Sequence, residues 1–365
     1  MLITILLVLS ILFIVISTTK LNLHAFLALL IAAIFFGLFS GMPLQEILSS
    51  VEQGFGGTVG KIGIVIVAGA IIGTFLEKSG GAYALAERIL KVIGKKNVPP
   101  AMAIIGYIVS IPVFADSGFV ILSPLNKTLT KRAGLSLATT AIALSLGLMV
   151  SHTLVPPTPG PIAAAGILGA DLGLVILIGL PISITTLCFS WFWAVKVASR
   201  IHIDPNPELT ETEFTKRLRK APSAFHAFLP ILLPILLIVS KSVADYPTRP
   251  MGDGGFYSVI SFIGNPIIAL LIGIIIAITL PEKFDKKMLS SSGWVGDGLL
   301  AAAMIIMITG AGGAFGKVLQ NSGIANVIGE GMSSISIGYG CRLLSQPQSG
   351  RPRDPPQWQS SRPHP

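Results

Sequence analysis

Two short stretches of this chain hold polar groups where nearly everything around them is apolar. The first reads Ile111-Pro112-Val113-Phe114-Ala115-Asp116-Ser117-Gly118-Phe119. A carboxylate among apolar residues is expensive and by default marks an ion or substrate path. Pro112 and Gly118 break a helix on either side of Asp116 and Ser117. Such a break frees backbone N–H groups, which can hold an anionic ligand. Asp116 is then a candidate proton carrier. The competing reading is structural, with Asp116 capping a helix that begins near Gly118.

The second stretch reads Ser151-His152-Thr153-Leu154-Val155-Pro156-Pro157-Thr158-Pro159-Gly160-Pro161. His152 is the only histidine between Ala133 and Ala170, a segment with no Asp, Glu, Lys or Arg. Its imidazole can titrate near neutral pH and can donate to a carboxylate or hydroxyl. Thr153 and Thr158 add hydroxyls. The prolines impose an extended backbone whose carbonyls and few amides, around Pro157, Thr158 and Gly160, can face a ligand. The competing reading is a satisfied structural histidine beside a Pro-rich external loop. A weaker patch, Thr309, Gly310, Gly312 and Gly313, reads either as a helix break or as tight packing. Glu77, Lys78, Lys61, Asp171, Asn22 and His24 flank apolar runs and read as interfacial.

Other chemistry is absent from the sequence. No GxxxxGK[ST] string provides an ATP motor, and no HExxH, CxxC or Ser/His/Asp arrangement stands out. Cys188 and Cys341 lie far apart and suggest neither a disulfide framework nor a metal site. No metal and no cofactor is expected, and a membrane enzyme would need a catalytic cluster that the sequence lacks.

The elements that must position these groups follow from composition. Of 365 residues, 52% are apolar and only 12% charged, against about 25% charged in a soluble domain. This excludes a soluble enzyme, a nucleic-acid reader and a disordered chain. The expected fold is an all-α polytopic membrane protein, with about nine to eleven membrane segments. Apolar runs at Leu2–Thr19, Leu23–Phe39, Ile62–Leu76, Ala101–Phe114, Leu135–Val155, Leu172–Val195, Phe225–Ser240, Phe256–Leu280 and Leu299–Phe315 supply the candidates. Leu2–Thr19 reads as an uncleaved first span, because no basic region precedes it. Trp191 and Trp193 fit an interfacial aromatic belt.

The net charge of +9 sits in groups. These are Lys20; Arg88, Lys91, Lys95 and Lys96; Lys127, Lys131 and Arg132; Arg200, Lys216, Arg217, Arg219 and Lys220; and Lys283, Lys286 and Lys287. Placing all of them on the cytoplasmic side leaves the N-terminus outside. Lys96 and Lys127 then share a side, so Ala101–Leu125 between them reads as a re-entrant hairpin.

The chain also repeats itself. Gly69–Ala82 (GAIIGTFLEKSGGA) is echoed by Gly312–Ala325 (GGAFGKVLQNSGIA) at an offset of 243 residues, and Glu87 matches Glu330. Chance likeness between glycine-rich helices is the alternative. The charge groups run the copies in opposite directions, as in inverted-repeat secondary transporters. The expected divisions are a first transmembrane repeat over 1–197, a cytoplasmic loop over 198–224, a partial second repeat over 225–340 and a disordered or aberrant tail over 341–365.

Three strings resemble the gluconate permease (GntP) family of the ion transporter superfamily. They are Pro112–Phe119, Val155–Pro161 with Ala163-Ala164-Ala165-Gly166 after it, and Ile308–Phe315. The resemblance covers about residues 1–338, and its Pro-Pro-x-Pro-Gly-Pro string is the most specific part. It implies proton-linked uptake of gluconate or a related sugar acid across the bacterial inner membrane, with D-serine carriers as relatives. Family members often carry an aromatic residue at Ala115 and a histidine at Thr158, so another small hydroxy or amino acid is equally open. The family completes its second repeat, whereas here the offset carries Asp116 to Gln359. Residues 341–365 read as a frameshifted or prematurely ended tail, and the second repeat as incomplete.

The leading expectation is a secondary active transporter. A small carboxylate binds around Asp116, Ser117, Gly118, Thr158 and Gly160, with Asp116 and His152 as proton couplers. Thr153, Pro157, Thr309 and Gly310 are further substrate-binding or coupling candidates. The partners are that carboxylate, the proton and the bilayer, with a homo-oligomer open and no nucleic acid. The alternatives are an ion or solute channel, or a non-functional truncated transporter.

Overall fold

A computed structural model of the chain describes residues 2–94, 97–206, 221–245 and 254–324. Lys95, Lys96, Lys216, Arg217, Arg219, Lys220, Ala325, Glu330 and the 341–365 tail lie outside the described residues. The described residues form thirteen α-helices: α1 Leu2–Thr19, α2 Ala25–Phe39, α3 Leu44–Lys78, α4 Gly81–Ile93, α5 Val98–Val109, α6 Ala115–Ala133, α7 Leu137–Leu154, α8 Pro159–Leu168, α9 Leu172–Lys196, α10 Ala224–Ala244, α11 Gly255–Ile263, α12 Pro266–Ala277 and α13 Trp294–Asn321. Five helices are long and apolar enough to cross a membrane, six if α11 and α12 count as one bent span, with three shorter apolar helices beside them.

Backbone polar groups have no water to bond in the bilayer, which forces the apolar runs into helices. Local chemistry sets their ends. Ser136, Asp171, Ser223 and Asn265 accept from the first turns of α7, α9, α10 and α12. His24 likewise caps α2 through Nδ1, 3.3 Å from the Phe26 amide, so its role is structural. Asp171 does more than flank a span: its Oδ1 takes the Leu174 N–H at 2.9 Å and the Ser242 hydroxyl from α10. We expect Asp171→Ala to cost about 1–2 kcal/mol, a lost cap plus a lost, part-buried hydrogen bond from Ser242. Asp171→Asn, which keeps the cap, should cost less; thermal unfolding in detergent checks both.

One apolar run hides a break. Phe256–Leu280 reads as one span, yet α11 and α12 meet at 64°. Gly264 ends α11, Asn265 caps α12 and Pro266 opens it. Proline is tolerated at the first helical position, where its missing N–H has no partner to lose.

Helix α3 is the central post. In its most apolar window 67% is buried, against 22% for α9, whose Phe189, Trp191, Phe192 and Trp193 face outward. Such exposure of large apolar side chains suits lipid rather than water. Helix α13 lies along α3 in a glycine seam. Gly54 meets Ala314, Gly310 meets Phe55 and Val59, and Gly298 meets Ile71. As the number rises on one helix it falls on the other, so the two run antiparallel. Lys78 at the end of α3 pairs with Asp297 at the start of α13.

These are the two helices that carry the sequence repeat, and their ends agree in detail. In α3 the Ser79 hydroxyl bonds Leu76 O, and Gly80 follows at φ 79°. In α13 the Ser322 hydroxyl bonds Leu319 O, and Gly323 follows at φ 79°. Neighbours swap accordingly: α12 touches α3 through Gly273 and Ile72, while α2 touches α13 through Phe36 and Phe315. Ile72 and Phe315 are repeat equivalents.

Helices α5 and α6, joined through residues 110–114, occupy the stretch expected as a re-entrant hairpin. Twelve residues make α5 about 18 Å long, too short for a hydrocarbon core of about 30 Å. The predicted long loop after α9 is partly strapped down. Ile203 N–H donates to the Ser136 hydroxyl at 3.0 Å, which donates to Ile201 O at 2.7 Å.

Candidate functional site

Both chemistry-bearing stretches fall at helix breaks. The first lies between α5 and α6. Phe114 precedes α6 with no side-chain cap, and the first helical bond runs from Gly118 N–H to Phe114 O at 2.8 Å. The amides of Ala115, Asp116 and Ser117 therefore precede the helical ladder. Asp116 is neither a cap at Gly118 nor buried. The helix starts three residues before Gly118, and the Asp116 carboxylate sits exposed in its first turn. A negative charge there is favoured by the helix dipole, by about 0.3–1 kcal/mol.

The second break is shorter than the proline count suggests. Helix α7 ends at Leu154, and the non-helical backbone is confined to Val155–Thr158, with a cis Pro156–Pro157 bond. Pro159 and Pro161 belong to the first turn of α8, where no N–H is needed. Gly160 supplies an amide between them and faces open space.

Two glycines of α3 bring the breaks together. Gly73 faces the Pro112 carbonyl and Gly69, one turn earlier, the Pro157 carbonyl. Ile66, Gly69, Ala70, Ile111–Phe114 and Pro157–Pro159 then line one crevice. The equivalents of these glycines on α13, Gly312 and Gly316, have nothing within 4 Å among the described residues.

His152 is half-buried, its ring edge-on at 6.2 Å to Phe114 of the crevice. Its Nδ1 is buried without a partner, as are the hydroxyls of Ser110 and Ser151, both 0% exposed. Among the described residues these are the three such atoms, and they lie at the end of α5 and in the last turn of α7, next to the two breaks.

The structure brings Asp116, His152, Pro157 and Thr158 to one place, with Ser117 beside Asp116. Gly118 packs closely on Leu148. Thr158 is buried and its hydroxyl ties the break together, donating to Val155 O at 2.6 Å. Thr153 turns away: it is exposed and bonds back to Met149 O at 2.7 Å. Thr309 and Gly310 form no break either. α13 is continuous through them, Thr309 bonds Ile305 O at 2.7 Å, and Gly310 serves the seam with α3. Ser110 went unread in the sequence although it directly precedes Ile111-Pro112, Ser151 was read only as the start of the second stretch, and Gly69 and Gly73 only as repeat positions. No group of three His, Cys, Asp or Glu residues among the described ones is arranged to hold a metal ion.

A family model described as GntP family permease matches residues 1–340. The chain is 39% identical over 328 residues to an uncharacterized permease of Haemophilus influenzae, covering 86% of this chain and 67% of that one. It is 36% identical over 320 residues to a gluconate permease of Pseudomonas aeruginosa, covering 86% and 70%. It is 33% identical over 340 residues to a D-serine transporter of Escherichia coli, covering 91% and 74%. A match running from the first helix through the last described one, on an all-helical membrane fold, establishes that the chain belongs to the GntP family of permeases and is a multi-pass protein of the inner membrane.

Proposed function

We propose that this permease moves gluconate or a related small hydroxy or amino acid into the cell, coupled to protons. The observation that carries the reading is the seating of two helix breaks side by side on Gly69 and Gly73 of α3. Broken helices that point their N-termini at one crevice are the arrangement by which secondary transporters hold anionic substrates. The substrate carboxylate is held by the amides at the start of α6 and by Gly160 N–H at the start of α8. Asp116, in the first turn of α6, and His152, whose ring meets Phe114 of the crevice, carry the proton. The antiparallel α3–α13 seam is the surface on which one repeat moves against the other. Relatives named for gluconate and for D-serine support a small acid as cargo.

The test is uptake into liposomes holding the purified chain. Labelled gluconate should accumulate under an imposed inward proton gradient, saturate, and exchange by counterflow with unlabelled gluconate inside. Flux without saturation or counterflow would identify a channel instead. Accumulation that ignores the proton gradient would remove the coupling ion from the reading and leave the carrier.

A further inference from the structure

We propose that Ser110, Ser151 and Nδ1 of His152 form a subsite that reads the hydroxyl groups of the substrate. This rests on the transport reading above and names residues for its specificity.

The inference starts from three polar atoms that lack partners. Buried polar groups are nearly always hydrogen-bonded, so each exception needs a reason. Serines and threonines in these helices ordinarily satisfy themselves by bonding back one turn. Thr74 bonds Ala70 O at 2.9 Å, Thr130 bonds Asn126 O at 2.6 Å, and Thr153 bonds Met149 O at 2.7 Å. Ser110 and Ser151 are fully buried and make no such bond.

The helices place these atoms on one level. Gly106 of α5 and Gly147 of α7 let the two backbones touch. Ser110 and Ser151 each lie four residues further on, one turn along the same faces. Beyond them Phe114 meets His152. Numbers rise together on both sides, so α5 and α7 arrive at the breaks side by side and in the same direction.

The chemistry of the site follows from that direction. Both helices end here, and helix C-termini carry partial negative charge. A carboxylate is disfavoured at this end and favoured at the N-termini of α6 and α8. Two hydroxyls and an imidazole nitrogen, each able to accept or donate, suit neutral hydroxyl groups. The substrate would lie with its carboxylate at α6 and α8 and its hydroxyl-bearing carbons toward Ser110 and Ser151. A site built to bond a hydroxyl strongly rejects an analogue lacking it, because the buried partners are then left unpaired.

The test compares gluconate with hexanoate, an acid of equal carbon count with no hydroxyl, by calorimetry on the full chain in detergent. The unaltered chain should prefer gluconate. Ser110→Ala and Ser151→Ala should each shrink that preference on the order of tenfold, the size of one buried hydrogen bond, and leave hexanoate binding unchanged. Without ligand, both variants should melt at or above the temperature of the unaltered chain, since an unpartnered hydroxyl has been removed. An undiminished gluconate preference in the variants overturns the subsite alone and assigns the hydroxyls to water. A lower melting temperature without ligand also overturns it, because the hydroxyls would then be tied within the protein. Binding of neither acid by the unaltered chain overturns gluconate as the cargo and the subsite argued from its hydroxyls, while the liposome uptake test of the carrier stands apart.

Discussion

Gly73→Val is expected to remove most of the folded monomer, while Gly316→Val, at the equivalent position of the repeat, leaves it nearly unchanged. The difference comes from what each glycine touches. At Gly73 a side chain would run into the Pro112 carbonyl and crowd Val113. That obstacle is backbone at a proline-fixed turn, which cannot swing aside as a flexible side chain could. Forcing extra carbons into a packed interior costs about 1–3 kcal/mol and more where the backbone must shift. The damage should extend beyond the hairpin, because α5 is wedged against α7 through Gly106 and Gly147. At Gly316 nothing lies within 4 Å among the described residues. Substitutions at such open sites stay within about ±0.5 kcal/mol. Size-exclusion profiles and melting curves of the two variants in detergent read the contrast directly. Equal damage at both positions would show that the two copies are packed alike, and that the Pro112 seat has no special weight.

The second large effect is functional. Asp116→Asn should abolish accumulation driven by a proton gradient while sparing exchange of gluconate across the membrane. Asparagine keeps the shape of the side chain and its place in the first turn of α6, but it cannot carry a proton. Loss of a coupling interaction of ordinary strength lowers the coupled quantity on the order of 10- to 100-fold. Counterflow is the control, since it needs substrate binding and movement but no net proton transfer. If the variant accumulates gluconate fully and with the same pH dependence, Asp116 is no proton carrier. If counterflow fails as well, Asp116 positions the substrate or the hairpin, and the coupling role passes to His152.

Much of the fold was legible because it rests on local backbone chemistry. A chain with 12% charged residues cannot cover itself in water. Proline has no N–H and fixes its own φ, so both breaks announced themselves through Pro112 and through Pro156 to Pro161. The extent of the second break was overread, because proline in the first turn of a helix interrupts nothing. The break at Asn265-Pro266 was underread, because a cap and a first-turn proline sat inside one long apolar run. The repeat was read as a spacing of glycines and serines, and Ser79 and Ser322 make the same hydrogen bond three residues back at the ends of α3 and α13.

By itself, then, the sequence determined the membrane class, the helical fold, the broken segments and the family strings. Each depends on which groups a residue carries and on its immediate neighbours. Only the tertiary structure decided which polar groups act together. It set both breaks on Gly69 and Gly73, turned Thr153 outward, and bonded Thr309 back into its own helix. It also left Asp116 exposed and buried Ser110 and Ser151 without partners. Partnership and burial are properties of pairs of helices, fixed by where glycines let backbones touch. A hydroxyl looks the same in a sequence whether a carbonyl one turn back satisfies it or it waits for a ligand.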